Sequence, residues 1–280
     1  MILDFHVHPF FEEAIKDKRA IHCIREIYGY RSTLHPVETY LMQMKIAKID
    51  KAVLLPLNSE YYHKCALPSN EIVAKLVDEY SDKFIGFASV DPKNPEKAVK
   101  DLEKAINDLG LKGLKLNPYF QDFNPADKRI YPIYEKAQEL GIPIVFHTGM
   151  IYSKHGLLKH TYPLIFDEIA QKFPDLKIIL AHFGWPWVKE AAILAVRHKN
   201  VYVDIADCFS GTPYEHLKHV LTEAIPKRIV ERFISDKILF GSNFPKIEAD
   251  KMIRGLLRVN LRDEIRRKIL GENAARVFKL

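Results

Sequence analysis

Cysteine is scarce in this 280-residue chain: Cys23, Cys65 and Cys208 stand far apart with no Cys-x-x-Cys pair, which excludes a thiolate-rich structural zinc site. Their small, odd number argues for a reducing, cytoplasmic setting. No run approaches the roughly 18 uncharged residues that a membrane span needs. The opening Met1-Ile2-Leu3-Asp4-Phe5-His6 has no basic stretch followed by a long apolar one, so a soluble, uncleaved protein with no membrane partner is expected. There is no low-complexity tract, no linker-like run of Pro, Ser or Gly, and no repeat beyond a strand-helix unit, which leaves one domain, residues 1–280. Neither sign of charge dominates: 42 Lys and Arg stand against 36 Asp and Glu, a net of +6 dispersed along helical stretches. Without a basic block, nucleic acid is not an expected partner, and the small excess favours an anionic small molecule.

What is present is a regular alternation. Short β-rich runs at 2–5, 51–55, 84–88, 111–116, 142–146, 177–181, 201–205 and 237–240 are separated by helical patterns such as 36–47, 70–81, 95–109, 127–140 and 162–173. Runs such as Ala52-Val53-Leu54-Leu55 and Ile178-Ile179-Leu180-Ala181 are continuously apolar, as in parallel strands covered on both faces. Eight strand candidates, with polar and chemically capable residues at their C-terminal ends, predict an α/β fold, a single (β/α)8 TIM barrel. Residues 9–35, between the first strand and the first convincing helix, are long for a loop and read as an insertion able to serve as an active-site lid.

Four of the twelve histidines fall at strand ends. His6 and His8 are two apart at the end of the first strand, so both face one side of it. His147 follows the fifth strand and His182 the sixth. Imidazole suits zinc and similar divalent ions, and a catalytic site takes about three protein ligands with one position open to water. His-x-His alone is weak evidence, whereas four imidazoles at one barrel mouth are a specific signal.

The motifs Asp4-Phe5-His6-Val7-His8, Gly113-Leu114-Lys115-Leu116, Phe146-His147-Thr148-Gly149, Leu180-Ala181-His182-Phe183-Gly184, Gly241-Ser242-Asn243-Phe244-Pro245 and Gly271-Glu272-Asn273-Ala274-Ala275-Arg276-Val277-Phe278 resemble, in order and spacing, the amidohydrolase superfamily, in particular its amidohydrolase-related (amidohydrolase 2) branch. The resemblance covers nearly the whole chain. It implies a metal-dependent enzyme with His6, His8 and His147 as ligands of one divalent ion, Zn²⁺ first and Mn²⁺ second, and His182 in substrate contact or proton transfer. Hydrolysis of the C–O or C–N bond of a small carboxylated lactone or amide by metal-activated water is the first reading. Non-oxidative, metal-dependent decarboxylation of an aromatic or unsaturated acid is the alternative, and a homodimer is an assembly the resemblance allows.

One position departs from the pattern. Where the family ends its last strand in an Asp that binds metal and handles the proton of its water, this chain has Asn243, whose amide oxygen can coordinate but cannot accept a proton. His182 then takes over the proton work, or the chemistry needs less base, or turnover is lost and a metal- or ligand-binding protein remains. Lys115 is placed to clamp a substrate carboxylate, with Asn117 and Tyr119 beyond it as hydrogen-bonding partners and Trp185 as a flat apolar wall. Asp204 is a candidate for orienting an imidazole, and Asp4 is expected on the same face as His6 and His8. His155, His160, Arg19, Arg25 and Arg31 are loop residues that reach the site only if their loops fold over it.

Overall fold

Each apolar run becomes a strand because both of its faces are buried, one against helices and one inside a lumen. The computed structural model describes residues 1–30, 33–151, 153 and 156–280; Arg31 and His155 lie outside them. Among the described residues the parallel strands are β1 (Leu3–Val7), β2 (Lys51–Leu54), β5 (Phe84–Gly86), β6 (Leu114–Leu116), β7 (Ile144–Phe146), β8 (Ile178–Leu180), β9 (Val201–Asp204) and β10 (Ile238–Leu239). They pair in the orders β1-β2-β5 and β6-β7-β8-β9-β10. A bridge from Ala88 to Leu114 joins the two sheets at one seam, and the Phe5 amide donating to the Phe240 carbonyl at 2.8 Å closes the other. The result is a (β/α)8 barrel.

The lumen is filled by Leu3, Phe5, Val53, Phe87, Val145, Ile179 and Leu239, while Leu54, Leu114, Phe146, Leu180 and Val203 face the helical layer. The C-terminal helix Asn273–Phe278 plugs the floor, with the Phe278 ring 5.7 Å from that of Phe5. No helix of the described residues is long and apolar enough to cross a membrane.

Two sequence expectations are corrected here. The first strand does not alternate uniformly: its register shifts between Asp4 and Val7. Leu3 and Phe5 point into the lumen, Asp4 points outward to accept from the Tyr40 hydroxyl at 2.9 Å, and after the shift His6 turns inward to meet Asp204. Asp4 therefore does not share a face with His6, because the bulge inserts one residue of phase between them. Second, Cys23 and Cys65 are joined by a disulfide spanning 42 residues, so the argument from thiols to a reducing compartment no longer stands. That bond ties the insertion to an antiparallel hairpin, β3 (Leu57–Ser59) with β4 (Cys65–Leu67), which the apolar pattern did not reveal.

Asn273 explains one of the terminal motifs. Fully buried, its amide donates to the carbonyls of Ser235 and Ile238 at 2.8 and 2.7 Å, fixing the plugging helix to the start of β10. Asn273→Ala would leave two buried carbonyls unpaired and should lower stability by about 2–3 kcal/mol. A urea midpoint unchanged from wild type would show that the motif does not fasten the barrel floor.

Candidate active site

The C-terminal mouth gathers imidazoles because of where β1, β7 and β8 end. His6 lies within β1 and His8 just beyond it, His147 follows β7, and His182 follows β8 with a left-handed backbone, φ 59°. All four are buried. Ring centroids are 5.1 Å apart for His6 and His8, 4.9 Å for His6 and His182, and 4.8 Å for His147 and His182. Asn243, after β10, and Asp207, beyond β9, also have left-handed backbones at φ 63° and 75°. Three such residues at one mouth, at about 1–3 kcal/mol each, mark strain concentrated at a functional site.

Hydrogen bonds fix the proton on each ring. Asp204 accepts from His6 Nδ1 at 2.9 Å, and the Leu55 carbonyl accepts from His8 Nδ1 at 3.2 Å. The Ala206 carbonyl accepts from His182 Nδ1 at 3.0 Å, which leaves His182 Nε2 as the acceptor for His147 Nδ1 at 3.1 Å. The outcome is three lone pairs, on Nε2 of His6, His8 and His147. Those of His6 and His147 have no hydrogen-bond partner, nor has the buried amide oxygen of Asn243.

His6, His182 and Asp204 also lie with ligand atoms within 4.8 Å of one another. That proximity is already spent: Asp204 takes His6 with one oxygen and the amides of His182 and Ala206 with the other, at 2.9 and 3.0 Å. Asp204 orients an imidazole, and His182 orients another. Both ring nitrogens of His182 being engaged, it does not carry the free proton acceptor that the sequence reading asked of it.

Electrostatics keep the rings neutral. Burial lowers the pKa of all four imidazoles, to about 3 for His182 and well below the ordinary value for His8 and His147. Burial pushes the Asp204 carboxyl up, but the hydrogen bonds it accepts from His6 Nδ1 and the His182 amide outweigh it and hold it below the usual carboxylate range. Lys115 points into the barrel behind the imidazoles with its Nζ unpartnered, and burial lowers it to about 8 against the pull of Asp204.

Above this cluster opens a cavity of about 460 Å³ walled by Phe10, Tyr28, Tyr119, Phe120 and Phe209, with Lys246 and Asp207 on one side. Lys246 Nζ lies 2.7 Å from Asp207 Oδ2 and 5.0 Å from the Phe209 ring centroid. Phe10 and residues 25–30 of the insertion form one wall, Arg25 included. Trp185 stands one layer back, stacked on Phe209 at 5.0 Å. Asn117 is buried, and its side-chain oxygen accepts from the Phe120 amide at 3.0 Å to hold a local turn. Neither residue is part of the cavity lining, and neither are Lys115, Arg19 and His160. Sequence reading missed Tyr28, Asp207 and Lys246; Asp207, three residues beyond Asp204 at a strand end, was the one with a positional signal.

A (β/α)8 barrel whose C-terminal mouth holds buried, oriented imidazoles defines an enzyme scaffold. The chain belongs to the amidohydrolase family, whose sequence model matches residues 4–280. It is 26% identical over 284 residues to gamma-resorcylate decarboxylase of Polaromonas sp., covering 88% of this chain and 84% of that protein. An uncharacterized TIM-barrel protein of Bordetella bronchiseptica has the same fold, TM-score 0.77 at 24% identity, over 99% of this chain and 98% of the other. So has the dihydroxybenzoic acid decarboxylase of Polaromonas sp., solved with bound manganese and the inhibitor 2-nitroresorcinol, at TM-score 0.72 and 20% identity over 100% and 97%.

The neutral imidazoles give a signed expectation for the chelator-treated protein. Unfolded histidines take up protons below about pH 6.5. The folded rings resist, so stability is full above that pH and falls as the pH drops toward the His182 value of about 3. Asp4, raised to about 6 by burial, opposes this between about 6 and 3.8, but it is one group against four. The urea midpoint should therefore be lower at pH 5.5 than at 7.5. A midpoint that rises on acidification would contradict the assigned neutral network.

Proposed function

We propose that this chain is a metal-dependent, non-oxidative decarboxylase of a small hydroxylated aromatic acid, with His6, His8 and His147 as ligands of one divalent ion and Asn243 contributing its amide oxygen. The observation that carries the reading is the set of buried, unpaired electron-pair donors on His6, His147 and Asn243; once an ion takes these, His182 and Asp204 are already engaged in hydrogen bonds. Burying such atoms without partners is costly, and a cation removes that cost. Nitrogen and oxygen donors with no thiolate suit Mn²⁺ or Zn²⁺ alike. The relative solved with manganese makes Mn²⁺ the first ion to test.

Hydrolysis needs a base for the attacking water. Asn243 cannot accept a proton, and His182 has both nitrogens engaged. Among the described residues lining the cavity, the carboxylates are Glu26, exposed at the rim, and Asp207, paired with Lys246. Decarboxylation needs no attacking water: the electrons of the carbon–carbon bond pass to the ring, carbon dioxide leaves, and the ring carbon takes up a proton that comes from solvent. A bound ion would supply electrostatic grip on the oxygens of a carboxylate and an adjacent hydroxyl. The chain's own residues do the rest: Phe10, Phe120 and Phe209 hold a flat ring, and Lys115 offers a buried ammonium to an oxygen reaching the barrel interior. The decarboxylase among the relatives supports the reaction type.

Incubating the Mn²⁺-loaded protein with a panel of hydroxybenzoates in D₂O should release carbon dioxide and place deuterium on the ring carbon it leaves. Uptake of oxygen-18 from labelled water into product without carbon dioxide would overturn the reading in favour of hydrolysis. His6→Ala should lose the ion, and Asp204→Asn should weaken its binding by about 10–100-fold through the imidazole it orients. Equal metal content in wild type and His6→Ala would remove the metal site altogether.

A further inference from the structure

The three imidazoles assigned as ligands are not equivalent. Nε2 of His6 and of His147 is buried without a partner, whereas Nε2 of His8 accepts a hydrogen bond from the Tyr28 hydroxyl at 2.7 Å. The Leu55 carbonyl fixes the His8 proton on Nδ1, so the lone pair that Tyr28 engages is the one His8 would offer an ion.

Tyr28 comes from the insertion and is held there by several contacts. Its ring meets those of His8, Phe10 and Phe120 edge-on, at 5.3, 5.3 and 5.9 Å. Its amide donates to the Cys23 carbonyl at 2.8 Å at the end of the π-helical turn Cys23–Ile27. Cys23 in turn is bonded to Cys65 of the β3–β4 hairpin. A covalent tether thus stands five residues from a hydroxyl that rests on a ligand nitrogen.

We infer that Tyr28 is a gating residue for metal loading: its hydroxyl and the ion compete for Nε2 of His8, and the Cys23–Cys65 bond limits how far the insertion yields when the ion enters. The inference rests on the assignment of His8 as a ligand. Displaced from His8, the hydroxyl would stay on the cavity wall, where it can meet a substrate oxygen.

The test is Mn²⁺ titration of the chelator-stripped full-length protein by calorimetry. Tyr28→Phe keeps the ring and its packing and removes only the competing hydroxyl. It should bind Mn²⁺ about threefold to tenfold more tightly, the equilibrium worth of one neutral hydrogen bond. Equal or weaker affinity in Tyr28→Phe, with Mn²⁺ still bound by wild type, overturns the gating role alone. Failure of wild type to take up either Mn²⁺ or Zn²⁺ overturns the metal assignment and the gate together. The double variant Cys23→Ser/Cys65→Ser, untethered, should shift in the direction of Tyr28→Phe; affinity equal to wild type would remove the disulfide from the device.

Discussion

The register shift in β1 decides whether there is a site at all. With unbroken alternation, a strand that sends Leu3 and Phe5 into the lumen would send His6 and His8 outward with Asp4, into the layer where Tyr40 packs. One residue of slip between Asp4 and Val7 lets the same strand fill the barrel with apolar side chains below and present two imidazoles above. The two demands conflict on a regular strand, and the bulge reconciles them. Its outward product, Asp4, is put to use as well: it accepts from the Ser242 amide at 2.8 Å and so anchors the turn that carries Asn243.

Everything above the bulge is held by polar groups facing one another in a dry interior. In His6, His8 and His147 the Nδ1 is fastened to a carboxylate, a carbonyl or another imidazole, and each fastening selects the tautomer that leaves the lone pair on Nε2. Asp204 is central to this because it holds His6 with one oxygen and the backbone of His182 with the other. Partners of this kind set ring orientation and ligand basicity together. The left-handed residues at 182, 207 and 243 belong to the same economy: the backbone turns sharply where each strand ends so that its side chain or carbonyl reaches the mouth.

Much of this was legible in the sequence, and what was not has physical causes. The eight strands were visible because a strand buried on both faces is an apolar run whatever its neighbours do, and the histidines were visible because they terminate such runs. The hydrogen-bond partner of a side chain is a different kind of fact. His182 looked like a working base on position alone, and only the Ala206 carbonyl and His147, on either side of its ring, show that its nitrogens are taken. The bulge leaves no compositional trace in Leu3-Asp4-Phe5-His6-Val7. The disulfide joins residues 42 apart, and Tyr28 reaches the site through a fold of the insertion that no periodicity announces.

Asn243 is where these strands of argument meet. An amide at the end of β10 keeps a buried, unpaired oxygen at the mouth and gives up proton transfer, while Asp204 and His182 are committed to orientation. A site so arranged is rich in electron pairs for an ion and poor in bases left free to take a proton from water. Such a site suits a reaction that asks the protein to hold negative charge in place while a carbon–carbon bond breaks, more than one that must first strip a proton from water. The aromatic walls point the same way, since a flat ring held face-on can take up the charge that the departing carboxylate leaves behind. Under the proposed reaction the substitution is not a decayed hydrolase position: it gives up a base that decarboxylation does not require and keeps an oxygen that the proposed ion would take.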